Sequence, residues 1–290
     1  MGFDPFLYVA LAGGYLVGRV VRVRSPWVPR ATLATVGVLV GLLGASLDAV
    51  PPVTLAAEIP LALAFVSVLL VVTLAVARLL ERPPGRPTTP ATGSGSKPPR
   101  PTVSVAFVAA LLLGVGIGRV ASVPTSALIP YVLYVLLALV GFDLVLRSAG
   151  LRRLWIPLTA AVAGAVGAAA LFAVAAGVPP VASFSTAFGF GFYSLAGPLV
   201  AARLGAVLGL LAFLTNFLRE QLTMLLAPLL GPRVRGTGLA AIGGATAMDT
   251  TLYFVTRFGD EDSASLALAT GFVLTVAASL LLPALLALPA

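Results

Sequence analysis

The chain alternates long apolar runs with short polar interruptions. Ten apolar segments can be read along it: residues 5–21, 31–49, 59–80, 102–118, 126–146, 154–177, 183–202, 205–230, 238–257 and 263–288. A helix needs about 20 mostly apolar residues to cross a bilayer. The pattern therefore predicts an all-α polytopic membrane protein. Two segments do not read as continuous helices. Segment 183–202 contains Phe188-Gly-Phe-Gly-Phe-Tyr-Ser-Leu-Ala-Gly-Pro198, and segment 238–257 contains Gly243-Gly-Ala-Thr-Ala-Met-Asp-Thr-Thr251. Irregular backbone at membrane depth is tolerated where it lines a cavity. The expectation is about eight transmembrane helices plus two opposed re-entrant or broken hairpins. Ten full spans is the alternative.

Residues 81–101 form the one long polar stretch, rich in Pro, Gly and Ser. Such a composition makes a flexible tether with no core-forming residues. It divides the chain into an N-terminal three-helix unit, 1–80, and a transport unit, 102–290. There is also a short internal repeat. Residues 11–20 read LAGGYLVGRV and residues 111–120 read LLLGVGIGRV. Each copy precedes an apolar segment that ends in Gly and an acid, Gly44 with Asp48 and Gly141 with Asp143. Three crossings separate the copies, so they face opposite ways, as in inverted-repeat transporters.

Composition strengthens the membrane assignment. Hydrophobic residues make up 59% of the chain, charged residues 10%, and mean hydropathy is +1.08. Soluble domains are about a quarter charged, so a soluble enzyme, a disordered tail and a nucleic-acid-binding domain are excluded. The pI of about 10.8 does not point to DNA, because the basic residues sit in short loops between apolar runs. Arg19, Arg22, Arg24 and Arg30 mark one loop, Arg78 to Arg100 the linker region, and Arg147, Arg152 and Arg153 a third. The positive-inside rule then places both termini outside a plasma (inner) membrane. It also favours re-entry of segment 183–202, which keeps Arg233 and Arg235 inside. Asp4 and the lack of a basic n-region argue against a cleaved signal peptide. Cys and His are absent, which removes disulfides, His-based catalysis and Cys/His metal sites. No enzyme, cofactor or metal role is expected.

Glu220 carries the strongest chemical signal, because it sits deep in an apolar segment. A mid-membrane charge costs about 2.5–3.5 kcal/mol on insertion scales and faces a cavity or a partner. Asn216, Glu220 and Thr223 share one helix face at i, i+4, i+7, whereas Arg219 points about 100° away. A structural Arg/Glu pair is the bland alternative. Asp249 lies among Thr246, Thr250 and Thr251 in the second break, where a carboxylate can act as a ligand, a helix cap or both. Ser194 and Tyr193 form the polar tip of the first break. Asp143 is placed to pair with Arg147, Asp48 lies near a helix end, and Asp260-Glu261-Asp262 reads as a solvated loop.

The blocks Gly189-Phe-Gly-Phe-Tyr-Ser-Leu-Ala-Gly197, Asn216-Phe-Leu-Arg-Glu220 and Gly243-Gly-Ala-Thr-Ala-Met-Asp-Thr-Thr-Leu252 resemble the lysine exporter LysO family in order and approximate spacing. The resemblance covers roughly the last 110 residues well. It implies a plasma-membrane exporter of L-lysine, coupled to protons through Glu220 and Asp249. The chain departs from the pattern at Thr270, at Tyr253 and at Asp143, where relatives carry His, Pro and a neutral amide.

Protons and a cationic amino acid would then compete at Glu220 and Asp249, with Asn216, Arg219, Tyr193, Ser194, Thr246, Thr250 and Thr251 completing the site. Lysine carries net +1, and leaving a negative-inside cell costs about 2.3 kcal/mol per 100 mV. Exchange for one proton avoids that term. A Na⁺/proton antiporter is the main rival, since two membrane carboxylates suit Na⁺ as well. A homodimer is the expected assembly.

Overall fold

The structure, a computed structural model, describes residues 5–21, 27–45, 51–81, 102–143 and 148–288. The linker and Asp48 lie outside these residues, as does the side chain of Asp143. Among the described residues all regular structure is helical: α1 (Pro5–Val21), α2 (Val28–Ala45), α3 (Pro52–Leu80), α4 (Thr102–Val120), α5 (Thr125–Asp143), α6 (Trp155–Ala175), α7 (Pro180–Ala187), α8 (Tyr193–Leu204), α9 (Ala206–Gly243), α10 (Leu252–Phe258) and α11 (Ser263–Leu286). Two 3-10 turns, Ser148–Arg153 and Gly244–Met248, complete it. Ala56–Leu80, Leu151–Ala175 and Ser263–Leu286 are long and apolar enough to cross a membrane. Their outward faces carry exposed Val71, Leu79, Val174 and Leu280, as lipid-facing helices do.

The chain divides into two compact units. Unit 1 holds residues 1–51 and 95–146, and unit 2 holds 52–94 and 147–290. The division does not follow the linker. The helix α3 groups with the C-terminal helices rather than with α1 and α2.

Unit 1 is assembled through glycines. Gly14 and Gly18 of α1 lie on the backbone of Ala138 and Phe142 in α5. Gly114 and Gly118 of α4 lie on the backbone of Gly41 and Ala45 in α2. An added Cβ at any of the four would overlap a facing carbonyl oxygen. Lipid tails are as apolar as the helices, so close backbone approach and van der Waals contact hold such pairs. The repeated Gly-x3-Gly of residues 14–18 and 114–118 thus does the same work twice.

Unit 2 packs α3 on α6 at Gly164 and Gly167, which meet Thr73 and Val72. Phe65 and Phe172 pack there with tilted rings, centroids 4.4 Å apart. This small-residue seam explains why α3 belongs with α6. The segment 183–202 is broken as expected. Helix α7 stops at Ala187, and α8 restarts at Tyr193. The long helix α9 changes direction at Arg235 (φ +51°). Its last stretch, residues 236–243, leads into the Gly244–Met248 turn and α10. Segment 238–257 is therefore also broken.

The ends of these pieces gather at two places. Val181 at the start of α7, Leu199 and Leu204 of α8 and Leu208 of α9 pack against a buried cluster of Val200 of α8, Ala212 of α9 and Leu286 of α11. Arg203 Nε donates to the Leu286 carbonyl at 3.1 Å. Elsewhere Gly231 of α9 lies on Phe258 of α10, and Gly236 and Gly259 both lie on Ser263. Ser263 donates to Asp260 at 2.7 Å, and Arg153 pairs with Asp260 at 3.8 Å.

Candidate functional site

The two breaks of unit 2 meet. The Phe190 carbonyl, in the first break, accepts a hydrogen bond from Ala245 N in the second at 2.8 Å. Phe190 is fully buried with φ +50°, a conformation few non-glycine residues adopt. Gly244 sits at the meeting point with φ +65°, and a Cβ there would overlap the Phe190 carbonyl and press on the Arg219 guanidinium. Only glycine satisfies both the dihedral and the contact.

The helix α9 holds each break with a different side chain. Asn216, buried, accepts from Gly191 N at 2.7 Å. Its amide nitrogen donates to the Thr186 carbonyl and to the Ala212 carbonyl, each at 2.9 Å. It thereby satisfies backbone groups released where α7 ends. Arg219, also buried, donates from Nε to the Ile242 carbonyl at 2.8 Å and from Nη2 to the Ala241 carbonyl at 2.9 Å. These carbonyls close the last turn of residues 236–243. A helix C-terminus carries partial negative charge and free acceptors, which a guanidinium satisfies well. Thr223 returns its hydroxyl to the Arg219 carbonyl at 2.8 Å. Asn216 and Arg219 were expected among ligand-binding residues. Their side chains are instead engaged with the breaks, with only Arg219 Nη1 left without a partner.

Glu220 follows Arg219 but faces elsewhere. It is fully buried, and neither carboxylate oxygen has a hydrogen-bond partner. No ion pair joins it to Arg219 among the described residues, as the helical spacing predicts. Asp249 and the Thr250 hydroxyl lie within electrostatic reach of Glu220. Asp249 accepts from the Thr250 backbone N–H, and from the Thr250 hydroxyl at 3.2 Å. Tyr193 lies within electrostatic reach of both acids. Its ring stands edge-on to Phe213 and Phe217, 5.5 and 5.6 Å away. Glu220, Asp249, Thr250 and Tyr193 are therefore brought together.

The other predicted residues shape the second break. Thr246 donates to the Gly243 carbonyl at 2.9 Å and lies 3.4 Å from the Thr251 hydroxyl. Thr251 N and Asp249 N both donate to the Thr246 carbonyl. Ser194 is half-buried in the first turn of α8, beside Tyr193. On α11, Gly271 lies against Met248 and Ala245 of the break. The neighbouring Thr270 is fully buried with its hydroxyl unpartnered. Sequence reasoning missed Phe190. Its only signal was its place between two glycines. Among the described residues no group of His, Cys, Asp and Glu could hold a metal ion.

A family model described as Lysine exporter LysO matches residues 107–286, which include every residue named at this site. The chain belongs to the lysine exporter LysO family. It is 36% identical to the lysine exporter LysO of Escherichia coli (strain K12), over 54% of this chain and 53% of that protein. It is 29% identical to a putative lysine exporter of Haemophilus influenzae, over 52% of this chain and 80% of that protein. The match spans about half the length of the E. coli relative. No solved structure matches the chain. Membership in the LysO family together with the long apolar helices makes this a multi-pass membrane protein of a transporter family.

Proposed function

We propose that this LysO-family protein exports L-lysine, and related cationic amino acids, in exchange for protons. The observation that carries the reading is that Glu220 and Asp249, with Tyr193 and Thr250, lie within electrostatic reach of one another where two broken segments meet. A buried carboxylate pair without a counter-cation is costly unless it binds protons or a cationic ligand. Each acid then alternates between a proton and an ammonium group. The carrier reorients when the pair is neutralised by either, so one flux drives the other. The Tyr193 and Thr250 hydroxyls help orient the ammonium, and Asn216 and Arg219 hold the two breaks around it.

The broken segments are read as re-entrant hairpins entering from opposite membrane faces. Support comes from Arg235 and Arg153, which lie within electrostatic reach of Glu81. One membrane face then carries all three, which agrees with a cytoplasmic, basic side. The N-terminus is outside in this topology. The helices α1–α3 and α4–α6 form one inverted pair, supported by the matched glycine contacts of α1 on α5 and α4 on α2. The α7–α8 hairpin with the first stretch of α9, and the 236–258 hairpin with α11, form a second.

Transport of radiolabelled lysine into proteoliposomes, driven by an imposed pH gradient, tests the reading. Glu220→Gln and Asp249→Asn should each abolish the proton-driven component while leaving the protein folded. Wild-type rates in both variants, or a pH gradient collapsed by Na⁺ and not by lysine, would refute it.

A further inference from the structure

Exchange requires the site to face each side of the membrane in turn, and the placement of its parts points to how. Every residue at the site lies in unit 2. So does every bond that fixes it: Asn216 to Gly191, Arg219 to Ala241 and Ile242, and Ala245 to Phe190. Residues 236–248 are buried almost throughout. Unit 1 contributes none of the candidate residues. The chain passes between the units at 51–52, 94–95 and 146–147.

Three motions can expose a central site alternately. The hairpins can open in turn around a stationary body. One inverted repeat can rock against the other. Or the body that holds the site can move entire. The first breaks the backbone bond shared by Phe190 and Ala245 at every opening. The second pulls α3 away from α6, because these are the third helices of different repeats. Yet α3 and α6 meet along the glycine seam at Gly164 and Gly167 and pack Phe65 against Phe172. The third leaves all of these contacts intact.

We infer that unit 2 is the moving carrier. It shifts as one body, with α3 and α6 travelling together and both hairpin tips carried along with Glu220 and Asp249. The inference rests on the transport function proposed above and adds the identity of the mobile part.

The chain contains no cysteine, so introduced thiols are unique. A Cβ added at Gly167 would lie 4.0 Å from the Val72 Cβ, inside the range of about 3.5–4.5 Å that a disulfide bridges. In Val72→Cys/Gly167→Cys, oxidised protein should transport lysine as fast as its reduced form. Transport lost on oxidation and restored by reductant would overturn the inference in favour of rocking repeats. A second measurement uses Ala202→Cys and Leu229→Cys, both exposed: Ala202 follows Ala201, which packs on Gly209 near the start of α9, and Leu229 lies roughly 30 Å further along that helix. Their labelling by a membrane-impermeant maleimide should shift in opposite directions when lysine is added on one side only. Unchanged labelling at both ends in actively transporting protein would overturn the inference. Wild-type protein that moves no lysine at all would instead sink the transport function on which it rests.

Discussion

Replacing Asn216 by alanine removes a side chain that serves three partners. The Ala212 carbonyl already accepts from the helix of which it is part, so it loses little. Gly191 N is different. It lies in a buried residue at the first break, where the helical ladder has been interrupted, whereas the Thr186 carbonyl keeps the Gly189 N–H at 3.4 Å. Gly191 N is left unsatisfied, so the substitution should cost roughly 1–3 kcal/mol. For a body of this size about 2–4 °C is lost per kcal/mol, so melting should fall by at least about 2 °C. Thermal unfolding of the purified protein in detergent, followed by intrinsic fluorescence, measures this. Asn216→Asp is the informative companion. It keeps an acceptor for Gly191 N but sets a buried, unpaired carboxylate against the Thr186 and Ala212 carbonyl oxygens, so it should melt below Asn216→Ala. Transport should decline in the same order, because the break it holds carries Tyr193. A melting point and transport rate unchanged in Asn216→Ala would refute the assignment of Asn216 as the clamp of the first break.

Arg219 and Glu81 yield two more tests. Arg219→Lys keeps a charge at the end of residues 236–243 but loses the forked donor that spans the Ala241 and Ile242 carbonyls. It should lower stability and maximal transport while leaving the half-saturating lysine concentration unchanged. A large rise in that concentration at full stability would make Arg219 a ligand rather than a clamp. Glu81, just past α3, is half-buried, with Oε1 lacking a partner. Burial pushes its carboxyl above the ordinary value of 4.5, Arg235 and Arg153 pull it down, and Asp260 pushes it up. The folded protein thus holds this proton more tightly than the unfolded chain. The stabilisation is present at low pH and is lost as pH rises through the folded value. Melting of wild type should therefore fall more steeply than that of Glu81→Gln as pH rises above 4.5, and identical slopes would refute the link.

The hydropathy pattern located the helices because a membrane span is a long, local signal. Glycine, proline and hydroxyl clusters located both breaks, because irregular backbone needs those residues. The acids stood out because charge within apolar sequence is rare. Other features were not local. The membership of α3 in unit 2 depends on a seam with α6, far along the chain, and the linker pointed the other way. Asn216 and Arg219 read as ligands because polar side chains within a span suggest a binding role. Their partners turned out to be main-chain atoms, which no residue pattern displays. The glycines of residues 11–20 and 111–120 face carbonyls of α5 and α2, partners that lie far from them along the chain.

The bond from Ala245 to Phe190 joins the two broken segments through peptide atoms alone. A conventional alanine scan would pass over this junction, since truncating Phe190 leaves donor and acceptor in place and position 245 is already alanine. The junction can therefore persist through wide changes in surrounding side chains. What it cannot tolerate is altered main-chain shape, and Gly244 is where that limit is set.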